Sequence, residues 1–283
     1  MPIDWEPTKI KFKEWYKENE KTLAVKKDMY TSLITSILSD RDDFQNPHIE
    51  SRVKELKNCC EKFEKKYLSE FTDSLTVRQV QEKLTDLIGI RIICSYEDEI
   101  EKIKYVIKDN FKDLGITDKT AGLKDNEFGY KGLHMDVALT DDRKKLKEYE
   151  IIADSRVEIQ IRTQIQHSWS ILDHKMKYKH DENMPYELKR SVNRLAAVFE
   201  LADKEFIRIR DEIKNAAEQA KKETHDSVSF GDNSMGETPL SFGTFAEFIR
   251  QENPKYKFYE DKLNWMFNEI MKFNSKFPIN VAN

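Results

Sequence analysis

One short segment limits the possible fold more than any other part of the chain. Residues 155–163 read Ser-Arg-Val-Glu-Ile-Gln-Ile-Arg-Thr, and apolar and polar side chains alternate without a break over the six residues 157–162. A repeat of two predicts a β-strand with one face in a core. The other face carries Glu158, Gln160 and Arg162 side by side. Because buried charges need partners, this polar face is either solvated or part of a functional site.

The composition favours a helix-rich protein built around such a strand. The chain has 283 residues, of which 39% are hydrophobic and 35% charged, with only 8 glycines and 7 prolines. This length fits one large domain with appendages. The net charge of −4 provides no global basic field for bulk nucleic-acid binding. The 3 cysteines have no framework spacing, and we find neither a signal peptide nor an apolar membrane span, so we expect a soluble cytoplasmic protein with no membrane partner.

Apolar periodicity predicts the order of the elements that surround this strand. Helices are expected over 8–40, 49–70, 76–84, 98–110 and 164–179, and further strands over 87–94 and 133–139. A polar loop is expected over 118–129 and a charged connection over 141–147. The helix after the central strand is expected to bury Ile165, Trp169, Leu172 and Met176.

The C-terminal part is predicted to be helical. Apolar residues over 186–222 recur at a and d positions, which indicates packing on the N-terminal helices or, alternatively, an oligomer seam. Residues 223–243 contain glycines and serines and are predicted to form a linker or mobile loop. Aromatic-rich helices over 244–251 and 256–273 are expected to close the domain as a hairpin, or to bind a partner.

Several polar groups are predicted to meet at the sheet. Asp86 precedes one strand, Arg91 lies within it, and His134 lies on the next strand. Asp86 and Glu158 are a reasonable carboxylate pair for one hard cation, because Mg²⁺ takes carboxylate oxygens and keeps water or phosphate in its other positions. The alternatives are that Asp86 caps a turn and that Glu158 pairs with Arg162 or a lysine.

A basic stretch precedes these strands. If residues 51–62 were helical, Lys54, Asn58 and Lys62 would share one face, and Arg52 at the entry could reach the same side. Such a face suits a triphosphate. The alternative is a solvated charged helix with pairs between neighbouring turns.

A glycine-rich turn leads into the strand of His134. Gly129 and Gly132 let the backbone turn and approach a ligand closely, and Tyr130 between them could present its ring to a base. Lys131 and His134 could meet phosphate. The alternative is a turn at the entry to the strand, with the tyrosine ring covering the core.

Four motifs, in order over about residues 45–180, resemble the synthetase domain of the RelA/SpoT family of alarmone (p)ppGpp synthetases. They are Asp86-Leu-Ile-Gly-Ile-Arg91, Gly129-Tyr-Lys-Gly-Leu-His134, Val157-Glu-Ile-Gln-Ile-Arg-Thr163 and the helix segment Asp173-His-Lys-Met-Lys-Tyr-Lys179. The resemblance implies an α+β fold, with a nucleotidyltransferase-like mixed β-sheet flanked by helices and N- and C-terminal helical extensions. The synthetase domain would span residues 46–182, between an N-terminal helical segment, 1–45, and the C-terminal parts at 183–222, 223–243 and 244–283.

The resemblance also implies a reaction, the transfer of pyrophosphate from ATP to the 3′-hydroxyl of GDP or GTP. In that reaction Asp86 and Glu158 would be the magnesium ligands and catalytic acids. The same resemblance implies that Arg52 and Arg91 enclose adenine. The ATP phosphates would be held by Lys54 and Lys62, with Asn58 between them. The acceptor-binding residues would be Tyr130, Lys131, His134, Gln160 and Arg162.

This sequence departs from the family pattern at several motif positions. The serine between the two lysines is Asn58, the loop serine is Gly132 and the helix glutamate is Asp173. A second hypothesis is therefore a toxic relative that adds pyrophosphate to the 3′ CCA end of deacylated tRNA. A third is an inactive binding module. A homo-oligomer, and a protein antitoxin or trigger bound at the C-terminal segment, are further expectations.

Overall fold

The structure is a computed structural model that describes residues 4–39, 41, 43–72, 74–118, 132–177, 185–229, 242–252 and 259–274. The chain divides into two compact units, residues 1–207 and residues 208–283. The first unit contains the sheet and the helices that flank it, and the second is helical throughout its described residues.

The described strands form one mixed sheet, which confirms the predicted α+β fold class. The sheet order is β1-β2-β5-β4-β3. β2 and β5 are parallel, and the other neighbouring pairs are antiparallel. The strands are β1 (His48–Val53), β2 (Ile88–Cys94), β3 (Phe111–Asp118), β4 (Leu133–Leu139) and β5 (Arg156–Thr163).

Helices flank the sheet, and none of those described is long and apolar enough to cross a membrane. The helices of the first unit are α1 (Glu6–Leu38), α2 (Leu56–Lys66), α3 (Val77–Lys83), α4 (Asp98–Asn110), α5 (Asp141–Lys144), α6 (Gln164–Lys177) and the first part of α7 (Tyr186–Ser229). Short 3₁₀ turns lie at Leu68–Glu70 and Lys147–Ile152.

The core covers one face of the sheet, as the alternation in β5 predicts. Val157, Ile159 and Ile161 of β5 are fully buried, and they join one apolar cluster with residues of α1, α2 and α4. Burial of large aliphatic side chains is the main stabilising contribution in such a core. The even-numbered residues of β5 are only partly buried, so the polar face of the strand is not packed into the core.

The prediction of a helix over 49–70 is wrong in its first part. Residues 48–53 form β1, and α2 begins only at Leu56. The segment His-Ile-Glu-Ser-Arg-Val alternates, and its backbone pairs with β2, as in Ser51 opposite Ile90. This pairing satisfies the backbone hydrogen-bonding groups of β1 on the side that faces β2. The helix was predicted because the segment is rich in charged residues, which are uncommon in strands.

The strand β3 was also absent from the predictions. It is an edge strand, and its register against β4 shifts between Asp113 and Gly115. A bulge of this kind interrupts the alternation that reveals a strand. The predicted loop after it falls largely on residues 119–131, which lie outside the described residues.

The first part of α7 packs differently from the prediction. Val192, Ala196 and Phe199 form a small cluster with Trp169 and Ile165 of α6, and the rings of Trp169 and Phe199 lie 5.4 Å apart. Val192 and Phe199 are predicted seam positions, but they pack on α6 rather than on the N-terminal helices. The seam positions Leu188 and Leu195 are exposed, so the predicted packing on the N-terminal helices is wrong for them.

Two further differences concern helices. Leu172 of α6, which was predicted to be buried, is 46% exposed. The helix α7 continues to Ser229, beyond its predicted end at 222, while residues 230–241 lie outside the described part of the chain. The side chain of Met176 and the structure of residues 178–184 also lie outside it.

The second unit contains the aromatic hairpin that the sequence predicts. Its helices after α7 are α8 (Phe242–Glu252) and α9 (Glu260–Asn274). Phe242 and Phe245 of α8 each place their rings 5.7 Å from the ring of Phe267 on α9. The hairpin thus has its own small aromatic core.

Candidate active site

A cleft of about 450 Å³ opens on the polar face of the sheet. Residues from β1, β2 and β5 line it, together with the turn before β2. The predicted site residues among its walls are Arg52, Asp86, Arg91, Glu158 and Gln160. The structure therefore brings together residues that are far apart in the sequence, and it does so across neighbouring strands.

Asp86 is held between two lysines at this cleft. Its Oδ2 accepts a hydrogen bond from Lys54 Nζ at 2.6 Å, and its Oδ1 lies 3.0 Å from Lys62 Nζ. Burial alone would raise the pKa of Asp86, but the hydrogen bond from Lys54 and the charge of Lys62 together lower it. Asp86 is therefore ionised at neutral pH, and its side chain pairs with two lysines rather than capping a turn.

The two lysines reach Asp86 from different elements. Lys54 lies in the connection between β1 and α2, where its backbone N–H donates to the carbonyl oxygen of Leu87 at 2.9 Å. Lys62 projects from α2. Asn58 is exposed and its amide lies 3.4 Å from Glu55, so it does not join the lysines at Asp86. The predicted single helical face of Lys54, Asn58 and Lys62 is thus wrong, although the two lysines still converge.

Glu158 lies on β5 and is surrounded by donors. Its Oε1 is 3.1 Å from His134 Nδ1, and its Oε2 accepts a hydrogen bond from Gln160 Nε2 at 2.6 Å. Burial opposes ionisation, but His134, Gln160 and the charge of Lys62 lower the pKa of Glu158 to about 2. The carboxylate is therefore charged over the whole neutral range, although it is largely buried.

His134 connects Glu158 to Arg162. Its Nε2 lies 3.4 Å from Arg162 Nη2 on the side opposite to Glu158. The tautomer that satisfies both contacts carries its proton on Nδ1, donates to Glu158 and accepts from Arg162. Arg162 Nη1 also donates to Ser170 Oγ of α6 at 2.6 Å. Burial, and then the charge of Arg91, lower the pKa of Arg162 to about 10, so it stays a cation at neutral pH.

Arg52 and Arg91 lie on neighbouring strands at the outer end of the cleft. Arg91 Nη1 is 3.4 Å from Glu50 Oε2, and Glu50 Oε1 is also 3.9 Å from Nε2 of both His48 and His167. Glu50 was missed because its segment had been predicted to be helical. Its signal is the alternation of β1, which places His48, Glu50 and Arg52 on one face.

A second residue that the sequence reasoning did not assign is Asp136. It lies on β4 directly opposite Glu158 and shares its face with His134. Burial, followed by the negative charge of Glu158, raises the pKa of Asp136. The alternation of β4 could have revealed it, because it places Asp136 two residues from His134.

Gly132 is required by the close approach of β5. A Cβ atom at this position would lie 2.5 Å from the carbonyl oxygen of Ile161 and 2.4 Å from Cγ of Arg162. The lack of room for a Cβ atom explains why this position is a glycine where the family motif has a serine. The predicted acceptor residues Tyr130 and Lys131 lie outside the described residues.

The cleft contains two carboxylates of the kind that a magnesium ion takes as ligands. Asp86 and Glu158 both line the cleft as ionised carboxylates, which are preferred Mg²⁺ ligands. Among the described residues no group of three or more His, Cys, Asp or Glu side chains could hold a metal alone. Mg²⁺ is commonly bound by one or two carboxylates, with phosphate oxygens or water in its remaining coordination positions.

The sequence is similar to one family model and to two curated proteins. Residues 51–183 match the model of a region found in RelA and SpoT proteins. The GTP pyrophosphokinase YjbM of Bacillus subtilis strain 168 is 28% identical over 182 residues, which cover 63% of this chain and 80% of that protein. The GTP pyrophosphokinase YwaC of the same strain is 27% identical over 168 residues, 59% of this chain and 74% of that protein.

Solved structures agree with the fold. The small alarmone synthetase 2 from Bacillus subtilis has a TM-score of 0.52 at 26% identity, and the match covers 68% of this chain and 98% of that one. The small alarmone synthetase 1 from the same species, bound to its product pppGpp, has a TM-score of 0.57 at 23% identity and covers 71% and 99%. At this identity the second likeness shows the fold alone.

Proposed function

We propose that this chain, whose residues 51–183 match the model of a region found in RelA and SpoT proteins, is an ATP-dependent pyrophosphokinase that acts on GDP or GTP. Two relatives that carry the name GTP pyrophosphokinase support this proposal. The observation that carries it is the pair of ionised, largely buried carboxylates, Asp86 and Glu158, in a cleft edged by cations. A site of this kind is suited to phosphoryl-type transfer, which depends mainly on positioning and charge stabilisation.

The cations of the cleft suit the donor nucleotide. We assign the ATP phosphates to Lys54 and Lys62, since both ammonium groups lie at Asp86 and would gain phosphate oxygens as partners. We assign the adenine ring to the space between Arg52 and Arg91, because guanidinium groups stack on aromatic rings. A magnesium ion between Asp86, Glu158 and the phosphates would neutralise charge that develops on the transferred group.

The acceptor hydroxyl would approach Glu158. In the reaction the 3′-oxygen bonds to the β-phosphorus of ATP, the bond from that phosphorus to the bridging oxygen of AMP breaks, and AMP leaves with the electron pair. The hydroxyl proton passes to Glu158, whose position His134 and Gln160 fix. A carboxylate with a pKa of about 2 is a weak base. It is sufficient where the new bond is well advanced before the proton moves.

Gln160 offers a second contact for the acceptor. Its side-chain oxygen is buried and has no hydrogen-bond partner within the described part of the chain, while its nitrogen donates to Glu158. A buried acceptor without a partner is unfavourable, so a donor group of the substrate would stabilise it. A ribose hydroxyl beside Glu158 is a donor of this kind.

The test uses the full chain with ATP labelled on its terminal phosphates, and it offers GDP, GTP and deacylated tRNA in separate reactions with Mg²⁺. We expect label on the 3′ position of the guanine nucleotide, and we expect the Glu158→Gln variant to lose that transfer. Glu148→Gln, which changes an exposed acid, is the matched control and should behave like the wild type. Chelation of Mg²⁺ with EDTA should stop the transfer.

The same experiment decides between the proposal and its alternatives. Label that moves only to tRNA would contradict a guanine nucleotide as acceptor and support the toxic relative. Label that moves to no acceptor, in a protein that still binds ATP, would support an inactive binding module.

A further inference from the structure

Glu50 is an acid at the outer end of the cleft to which the proposed reaction gives no role. It lies on β1, and the alternation of that strand places it on the face that lines the cleft, together with His48 and Arg52. In the sheet, Glu50 lies directly opposite Arg91 of β2, and its Oε2 is 3.4 Å from Arg91 Nη1. The sheet thus pairs this acid with one of the two arginines assigned to adenine.

The other oxygen of Glu50 faces two histidines. Oε1 lies 3.9 Å from Nε2 of His48 and 3.9 Å from Nε2 of His167 on α6. Burial lowers the pKa of His167 against the opposing effect of Glu50, and the charges of Arg91 and Arg162 lower it further. The His167 ring is therefore neutral at neutral pH. Arg91, in contrast, is charged at every physiological pH, so it is the lasting ionic partner of Glu50.

The register of the strands fixes the spacing of the two arginines. Arg52 lies opposite Gly89, and Glu50 lies opposite Arg91, so the arginines are two residues apart along the sheet. Two residues of a strand span roughly 7 Å. A flat ring between two guanidinium planes needs about the same distance, because stacked atoms touch at about 3.5 Å on each side. The sheet therefore separates the arginines by the thickness that one base requires.

The Arg91 side chain needs a partner to keep this position. An arginine has many rotamers, and fixing a mobile side chain at the moment of binding lowers affinity. Arg91 lies between Glu50 of β1 and Gln160 of β5. The amide nitrogen of Gln160 already donates to Glu158, whereas the carboxylate of Glu50 contacts the guanidinium of Arg91. The contact with Glu50 therefore restrains the guanidinium before a base arrives.

We propose that Glu50 is a positioning residue for the donor nucleotide, which holds the Arg91 guanidinium so that Arg91 and Arg52 can enclose the adenine ring. The inference rests on the proposed function, because it concerns how the same cleft recognises ATP. It predicts an effect of definite sign. The charge of an acid beside a polyanion opposes binding, so loss of that charge alone would strengthen ATP binding. Loss of the positioning contact would weaken it.

The test is equilibrium dialysis of the full chain against labelled ATP with Mg²⁺ and without acceptor. We expect Glu50→Gln to raise the Kd for ATP about fivefold or more, because the Arg91 guanidinium loses its charged partner. Inorganic triphosphate has no base, so its binding should not weaken in this variant. In the transfer assay the KM for ATP should rise by a similar factor, while kcat stays within about twofold of the wild type.

The matched control is Glu61→Gln. Glu61 also pairs with a cation, Lys57 at 3.9 Å, and its side chain is 40% exposed against 41% for Glu50. It does not line the cleft. Glu61→Gln removes the same charge without touching Arg91, so it should bind ATP like the wild type.

A double-mutant cycle shows whether Glu50 acts through Arg91. When Arg91→Ala is already present, Glu50→Gln should change ATP binding less than about twofold, because the group that it positions is gone. An undiminished loss in that background would overturn the positioning role. ATP binding by Glu50→Gln that equals or exceeds that of the wild type would also overturn it, and label transfer by the wild type would then leave the enzymatic proposal intact. A wild-type chain that binds no ATP would overturn both.

Discussion

Two buried carboxylates near the two ends of β5 behave in opposite ways. Glu158 has a pKa lowered to about 2, whereas Asp203 of α7, which accepts a 2.7 Å hydrogen bond from Thr163 at the last position of β5, has a pKa raised to about 7. Burial raises the pKa in both places. The difference lies in what surrounds each acid.

The surroundings follow from the elements that meet there. Glu158 faces His134, Gln160 and the charge of Lys62, so its charged form is solvated by the protein. Asp203 receives one neutral hydroxyl and the negative charge of Glu97. The cleft therefore stabilises the ionised form of Glu158. The junction of β5 with α7 instead favours the protonated, neutral form of Asp203.

The largest expected effect separates the two acids by activity. We expect Glu158→Gln to lower kcat by about 10²- to 10⁴-fold, the usual contribution of a general base, and Asp203→Asn to change it less than about threefold. The measurement is transfer of label from ATP to a guanine nucleotide. Equal losses in both variants would break the comparison, because they would show that the site depends on charge at the junction as well.

A second effect comes from space rather than charge. We expect Gly132→Ser to destabilise the fold by about 1–3 kcal/mol, because the new Cβ would overlap Arg162 and the backbone of Ile161. Since Arg162 contacts His134, activity should fall as well. Chemical denaturation and the transfer assay measure the two effects.

The control for this substitution is Gly89→Ala on the neighbouring strand. A Cβ at Gly89 would meet only the side chain of Arg52, at 3.9 Å, so stability should stay close to that of the wild type. Equal stability of Gly132→Ser and Gly89→Ala would contradict this explanation. It would mean that the close packing of β4 against β5 does not require a glycine at position 132.

The sequence predicted the central part of this site and missed its rim, for reasons that particular residues show. Glu158 and His134 were predictable because their strands alternate and carry the family motifs. Glu50 was not, because six residues of an edge strand in a charged context look like helix. The different environments of Glu158 and Asp203 depend on contacts between distant segments, which no local pattern contains.

The pH dependence of stability sharpens the comparison further. The raised pKa of Asp203 means that the folded state binds more protons than the unfolded state between about pH 4 and 7, so this acid lowers the free energy of unfolding as the pH rises through that range. Glu158 acts in the opposite sense. Its stabilising effect is present above its ordinary pKa of 4.5 and is lost as the pH falls from there toward 2.

Removal of the Asp203 charge should reveal how much this acid contributes to the pH dependence of stability. We expect Asp203→Asn to be more stable than the wild type by about 4 kcal/mol at pH 8 and nearly equal to it at pH 4, since the amide can still accept from Thr163. Urea unfolding at both pH values measures this difference. The exposed acid variant Asp28→Asn should show no such trend, and a parallel shift of Asp203→Asn at both pH values would contradict the raised pKa.

The smallest effect tests how far the cleft depends on its outer hydrogen bonds. Ser170 Oγ accepts from Arg162 at 2.6 Å and donates to the carbonyl oxygen of His167 at 3.0 Å. Because Arg162 is largely buried, Ser170→Ala should cost about 1–2 kcal/mol of stability and raise the KM for the acceptor a few-fold.

The chain offers a matched control for this last substitution. Ser191 on α7 also accepts from an arginine, Arg194 at 3.0 Å, and donates to the carbonyl oxygen of Glu187 at 2.9 Å, but both of its hydrogen bonds are exposed. Ser191→Ala should therefore change stability by less than about 0.5 kcal/mol, since water replaces the lost bonds. Equal effects of the two variants would mean that burial adds nothing to the Arg162 contact. The stabilisation of charge in the cleft would then come from His134, Gln160 and Lys62 at Glu158 itself.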